Sequence, residues 1–212
     1  MDFIQELKNT YFKHKYPNFY PINDINGIKT IYIHINKTGG TSINKVLNKK
    51  KMHLTSKEII SIVGNDRFKS SFKFTVIRNP FARCVSQYLH RVKTNQCLMK
   101  DEPISFGIWI RKVYGEERDN YYFNKQYKMF YTQVDWLKNV EEEIKIDLFL
   151  RFEALNSDYS KFAQDIGISN NLPHLNKSLE QPVCYKEFYN SETRRIVQNY
   201  FKEDLEIFKY KY

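Results

Sequence analysis

Residues 29–47 read KTIYIHINKTGGTSINKVL. An apolar run rich in β-branched residues, Thr30 to Ile35, has the character of a buried strand. It breaks into Asn-Lys-Thr-Gly-Gly-Thr-Ser, and a helical pattern begins at Ser42 and runs to about Asn48. Glycine is scarce here, with 7 in 212 residues, so an adjacent pair at a strand exit needs a structural cause. A strand that turns sharply through glycines into a helix builds an anion site. The first backbone N–H groups of a helix have no acceptor within it, and its dipole adds partial positive charge there. Gly39 and Gly40 let the chain approach an anion closely, because no Cβ intrudes. Thr41 and Ser42 add hydroxyls, and Lys37 adds a full charge.

This loop departs from the Walker A pattern, in which a glycine stands five residues before the Gly-Lys-[Ser/Thr] end. Here the lysine precedes the glycines, so neither magnesium nor a triphosphate is implied.

The arrangement recurs at SFKFTVIRNPFARCVSQY, where a second strand ends near Arg78 and a helix opens at Pro80, a position that tolerates proline. Ser86 falls about two turns into that helix, while Arg83 reads equally well as a structural cation. A third strand is expected over Lys145 to Glu153, followed by a helix over Ser157 to Ile166 that stops at Gly167. Thr55 and Glu58 form a capping-box pattern ahead of an apolar run ending at Gly64. Asp2 to Lys15 reads as an amphipathic helix, Pro17 to Gly27 as a loop, and Ser191 onward as one or two terminal helices. Strands alternating with helices predict an α/β fold with a central, mostly parallel sheet flanked by helices. In such a sheet ligands collect at the C-terminal strand ends, where Lys37 and Arg78 both fall. Two cationic strand ends suit a ligand with two separated anionic groups.

Length favours a single domain, residues 1–212, with 1–28 as an N-terminal helix and loop. The net charge of +10 favours anionic partners, but the lysines are dispersed, which argues against nucleic acid. Cys84, Cys97 and Cys184 lie far apart, so a disulfide framework or a metal site is not expected. The N-terminus lacks a signal-peptide core and no stretch is long enough to span a bilayer. The expectation is a cytoplasmic enzyme without a membrane anchor; a trimmed lumenal enzyme would look the same.

HINKTGGTSI resembles the 5′-phosphosulfate loop of carbohydrate sulfotransferases, and VIRNPFARCVSQY resembles their 3′-phosphate-binding strand and helix. RFEALNSDY, LPHLNKS and YNSETRRIVQNYFKEDLEIFKY are similar to the C-terminal half of the same family, which includes uronyl 2-O-sulfotransferases and small bacterial members. The likeness runs from residue 29 to residue 212; one departure is Asn36, where the family more often has proline. The resemblance implies a P-loop-like three-layer fold and a donor, 3′-phosphoadenosine 5′-phosphosulfate (PAPS), with no metal required. Carried over by position, Lys37, Thr38, Gly39, Gly40, Thr41 and Ser42 hold its 5′ end, and Arg78 and Ser86 its 3′-phosphate. His174, Asn176, Lys177 and Ser178 fall in a family loop close to the nucleotide.

Sulfuryl transfer to a hydroxyl needs a base and a cation at the leaving phosphate, the second a role for Lys37. His53 matches the base position of the uronyl sulfotransferases. His174 is the second candidate. His34 reads as packed within a strand, His14 lies outside the matched region, and His90 sits toward the far end of its helix. The acceptor is expected to be a hydroxyl on an acidic or neutral glycan. Gln133 matches a position near the acceptor cleft. The aromatic-rich stretch Asp119 to Trp136 reads equally as a cleft lining or as a subdomain core. Two other functions stand beside this one: a ligand-binding module without catalysis, and a nucleotide-kinase-like enzyme.

Overall fold

The computed structural model describes residues 3–15, 17–173 and 184–212. Its strands are β1 (Ile22–Ile25), β2 (Ile28–Ile33), β3 (Phe72–Ile77) and β4 (Leu148–Arg151), which form one mixed sheet in that order. The helices are α1 (Phe3–Lys15), α2 (Gly40–Val46), α3 (Ser56–Val63), α4 (Asn65–Ser70), α5 (Pro80–Lys93), α6 (Phe106–Tyr114), α7 (Gln133–Leu137), α8 (Leu155–Asp165), α9 (Ser191–Tyr200) and α10 (Lys202–Ile207). Short 3₁₀ turns join several of them. The fold is α/β, with helices flanking the sheet.

The chain forms two compact units. The first holds the residues up to Ile77 and those from Gln133, and contains the whole sheet. β2 pairs with β3 in parallel, Thr30 opposite Phe72 and Ile33 opposite Thr75. β3 pairs with β4 in parallel, Phe74 opposite Leu148 and Ile77 opposite Arg151. Every residue of β3 beyond Phe72 is buried, as expected for a strand with neighbours on both sides. Tyr32, Ile43, Phe74, Val76, Leu150, Tyr159 and Phe162 make the core of this unit. Burying a large apolar side chain of this kind contributes about 1.5–3 kcal/mol.

β1 corrects the expectation of a loop over Pro17 to Gly27. It pairs antiparallel with β2, and Asn26 and Gly27 form the two-residue turn between them. Their φ values of +50° and +85° are those of an I′-like hairpin turn, which Asn-Gly adopts with little strain. The Asp24 carboxylate accepts the Gly27 N–H at 2.9 Å. β2 itself begins two residues before Thr30 and ends at Ile33, so His34 lies just past the strand and not inside it. β4 is shorter than the Lys145–Glu153 expected. Asp147 exchanges hydrogen bonds with Lys73 ahead of it, and Asp158 takes the Arg151 N–H at 2.8 Å behind it, where a 3₁₀ turn begins. α8 then starts at Leu155, two residues before the expected Ser157.

The second unit runs from Arg78 to Thr132 and takes in the C-terminal residues 184–212. Asn79 caps α5 by accepting the Phe81 N–H at 3.0 Å, and Pro80 occupies the first helical position as anticipated. Phe81, Trp109, Phe123, Phe130 and Phe201 are among its buried core. The aromatic-rich stretch divides its side chains: Phe123 and Phe130 pack inside, whereas Tyr121, Tyr127 and Tyr131 are exposed. The C-terminal segment forms two helices, α9 and α10.

Candidate active site

The glycine loop leaves the C-terminal end of β2. Thr38 is fully buried, and its hydroxyl donates to the Ile35 carbonyl at 2.8 Å, closing the turn from below. Lys37 adopts φ of +65° and Gly39 φ of +84°. A left-handed lysine costs roughly 1–2 kcal/mol, so the surrounding turn holds it there against its preference. Gly39 stands at the N-cap of α2 and offers no side-chain cap to the first turn. The hydroxyls of Thr41 and Ser42, both half-buried, make no side-chain hydrogen bond with the described residues. The loop therefore presents a cation, two hydroxyls and an uncapped helix start, a donor set that fits an anionic sulfate or phosphate group.

The two glycines are required for different reasons. A Cβ on Gly39 would come within 3.1 Å of the Leu155 and Phe152 side chains. A Cβ on Gly40 would lie 2.0 Å from Nε2 of His34, a collision. His34 is 5% exposed, and its ring occupies the space beside the first residue of α2. The Asn44 side-chain amide donates to His34 Nδ1 at 2.9 Å, which puts the proton of the neutral ring on Nε2. Burial holds the His34 ring well below the usual histidine range, reinforced by His53 and Lys51.

His53 lies two residues ahead of Thr55, the N-cap of α3. The capping box expected from the sequence fixes its neighbourhood: Thr55 accepts the Glu58 N–H at 3.3 Å, and Glu58 accepts the Thr55 N–H at 2.7 Å. The His53 ring is half-buried, with its centroid 4.3 Å from that of His34 and 6.1 Å from that of the fully buried Trp136. His53 Nδ1 lies 3.1 Å from the His34 carbonyl oxygen. A carbonyl can only accept, so in the neutral ring Nδ1 carries the proton and Nε2 holds the basic lone pair.

Of the other residues singled out by sequence, Arg78 and Ser86 belong to the second unit, where Arg78 opens the segment that follows β3. Ser86 is buried within α5. Arg83 is 2% exposed and donates to the Tyr131 carbonyl at 2.9 Å, a structural role. Gln133 is fully buried at the start of α7. His14 and His90 are exposed. His174, Asn176, Lys177 and Ser178 lie outside the described residues. Among the described residues no group of three or more His, Cys, Asp or Glu side chains could hold a metal ion, and no helix is long and apolar enough to cross a membrane.

Sequence reasoning passed over Asn44 and treated His34 as packing. The missing signal was a spacing: Gly40 and Asn44 stand one helical turn apart, on the same side of α2, where one ring can meet both.

An α/β sheet that delivers a lysine-bearing glycine loop, with a tautomer-fixed histidine in the same unit, has the parts of a group-transfer enzyme. Residues 24–211 match the model of the family described as the Sulfotransferase family, and the chain belongs to it. It is accordingly a transferase of sulfuryl groups. No curated protein and no solved structure matches the chain.

Proposed function

We propose that the protein transfers a sulfuryl group from PAPS to a hydroxyl of a glycan acceptor, acidic or neutral, with His53 as general base and Lys37 at the leaving phosphate. The observation that carries this reading is the bond from His53 Nδ1 to the His34 carbonyl, which leaves the basic nitrogen on Nε2. Membership of the sulfotransferase family supports the donor, and the loop's donor set supports binding of its 5′ end. Lys37, Thr38, Gly39, Gly40, Thr41 and Ser42 take that end. The likeness of VIRNPFARCVSQY to a 3′-phosphate-binding element assigns Arg78 and Ser86 to the 3′-phosphate. That of LPHLNKS supports a role for His174, Asn176, Lys177 and Ser178 in binding the nucleotide. The family match runs through both compact units, which supports treating residues 1–212 as one P-loop-like catalytic domain.

In the proposed step His53 Nε2 accepts the proton of the acceptor hydroxyl as that oxygen bonds to sulfur. The bond from sulfur to the bridging oxygen breaks, and its electron pair stays on the 5′-phosphate, where Lys37 neutralises the developing charge. The products are a sulfate ester, adenosine 3′,5′-bisphosphate and a protonated His53. Incubation with sulfur-labelled PAPS and a panel of glycans tests the reading. Label transferred to a glycan hydroxyl, and lost on Lys37→Ala, is the expected result. Tight binding of adenosine 3′,5′-bisphosphate without transfer to any hydroxyl acceptor would overturn it in favour of a non-catalytic ligand-binding module.

A further inference from the structure

We propose that His34 is a positioning residue that couples the glycine loop to the base, so that the geometry of one sets the geometry of the other. The inference rests on the reading of His53 as the base.

His34 meets the loop helix at two points one turn apart. The Nε2 edge of its ring fills the space where a Gly40 side chain would begin, 2.0 Å from a Cβ built there. Its Nδ1 is held by Asn44 at 2.9 Å. A planar ring fixed at two edges cannot turn without moving α2. The same residue meets His53 at two points. Its carbonyl oxygen accepts from His53 Nδ1 at 3.1 Å, and its ring lies 4.3 Å from the His53 ring at a tilt of 37°. On the strand side the Tyr32 ring stacks with it at 5.6 Å and 18°. His34 is thus a spacer between the start of α2 and the base.

Such a spacer matters for in-line transfer. The loop fixes where sulfur sits, His53 fixes where the acceptor oxygen sits, and an error of about 1 Å between them can cost roughly 10²-fold in rate. The spacer also has to stay neutral. The titratable groups facing it are His53, Lys51 and the Tyr32 phenol. A cationic His34 would repel the imidazolium that His53 becomes as it takes the acceptor proton. The Asn44 amide guards against this, because it donates to Nδ1 and would oppose a proton there. This also gives a reason for the second glycine that anion binding alone does not supply: Gly40 makes room for a protein side chain.

The test is a mutant cycle between His34 and Gly40, read by thermal melting, by affinity for adenosine 3′,5′-bisphosphate and by kcat and KM for sulfuryl transfer. His34→Ala is expected to lower kcat by roughly 10–100-fold, with bisphosphate affinity changed by less than about 3-fold, since it removes the ring that packs against the base while leaving the backbone carbonyl bond to His53 and the loop's own donors in place. His34→Gln, whose side-chain oxygen can accept from Asn44, is expected to recover part of kcat, and it stands in for the alanine variant should that one not fold. Gly40→Ala is expected to weaken bisphosphate binding, because the new methyl displaces the ring and the loop together. In His34→Ala/Gly40→Ala the vacated ring space admits the methyl, so bisphosphate affinity is expected to return toward that of His34→Ala alone.

Unchanged kcat in a folded His34→Ala protein would overturn the proposal, and so would losses in the double variant that simply multiply. Retained transfer in His53→Ala would instead overturn the base assignment. The spacer would then lose its catalytic half, while recovery of bisphosphate affinity in the double variant would still establish its coupling to the loop.

Discussion

His53 Nδ1 lies 3.1 Å from the carbonyl oxygen of His34, a backbone group that no side-chain substitution removes. The tautomer of His53 is therefore set by the path of the chain as it leaves β2. His53→Ala should lower kcat by roughly 10²–10⁴-fold, the usual contribution of a positioned base, while the melting temperature stays close to that of the parent. Transfer kinetics and a thermal melt on the same preparation check both halves of this statement.

Lys37 separates stability from function. Its φ of +65° is unfavourable for lysine and favourable for glycine. Lys37→Gly should melt at the same temperature as the parent or higher. Its transfer rate should fall by about 10²–10³-fold, the scale seen when one stabilising group at a developing charge is removed. A calorimetric melt paired with a transfer assay would show the opposed effects.

The buried ring of His34 links stability to pH. Its folded pKa is depressed, chiefly by burial and then by His53 and Lys51. Between that depressed value and the unfolded value near 6.5, the unfolded chain binds a proton that the folded one refuses. This contribution to stability is complete above pH of about 6.5 and declines as pH falls, with a slope of at most about 1.4 kcal/mol per pH unit for one proton. Denaturant titrations from pH 7 to pH 5 should show the decline, and His34→Gln should flatten it.

The cap that anchors the base can be removed on its own. Thr55 holds the Glu58 N–H at the start of α3, two residues beyond His53. Thr55→Ala should cost about 1 kcal/mol of stability, measured by urea denaturation, and Thr55→Ser should restore most of it.

Adenosine 3′,5′-bisphosphate should stabilise the protein. At about 100 times its dissociation constant the expected gain is roughly 2.7 kcal/mol, visible as a rise in melting temperature. Arg78→Ala should diminish that rise at a fixed ligand concentration, because the 3′-phosphate loses its proposed partner.

Several elements were legible because their signals are local. The capping box at Thr55 and Glu58, the proline opening α5 and the existence of strands β2 and β3 all follow from residues a few positions apart. The Asn26-Gly27 hairpin was equally local. Its signal is the Asn-Gly pair itself, set directly between Ile25 and Ile28, which an expectation of loop over the whole of Pro17 to Gly27 leaves unused. The end of β4 was less legible: an aspartate seven residues on, Asp158, accepts the Arg151 N–H where the strand gives way to a 3₁₀ turn.

The amino-acid order by itself determined the α/β class, the loop that carries Lys37 ahead of two backbone-permissive glycines, and His53 ahead of its helix cap, since each depends on short-range propensity and on charge. Only the tertiary structure decided what surrounds them. It set the His34 ring on Gly40 and under Asn44, and turned the His34 carbonyl to His53. These contacts come from how a strand exit, a helix and a loop 19 residues further on pack together, and such packing depends on shape, which residue type and spacing do not encode one position at a time.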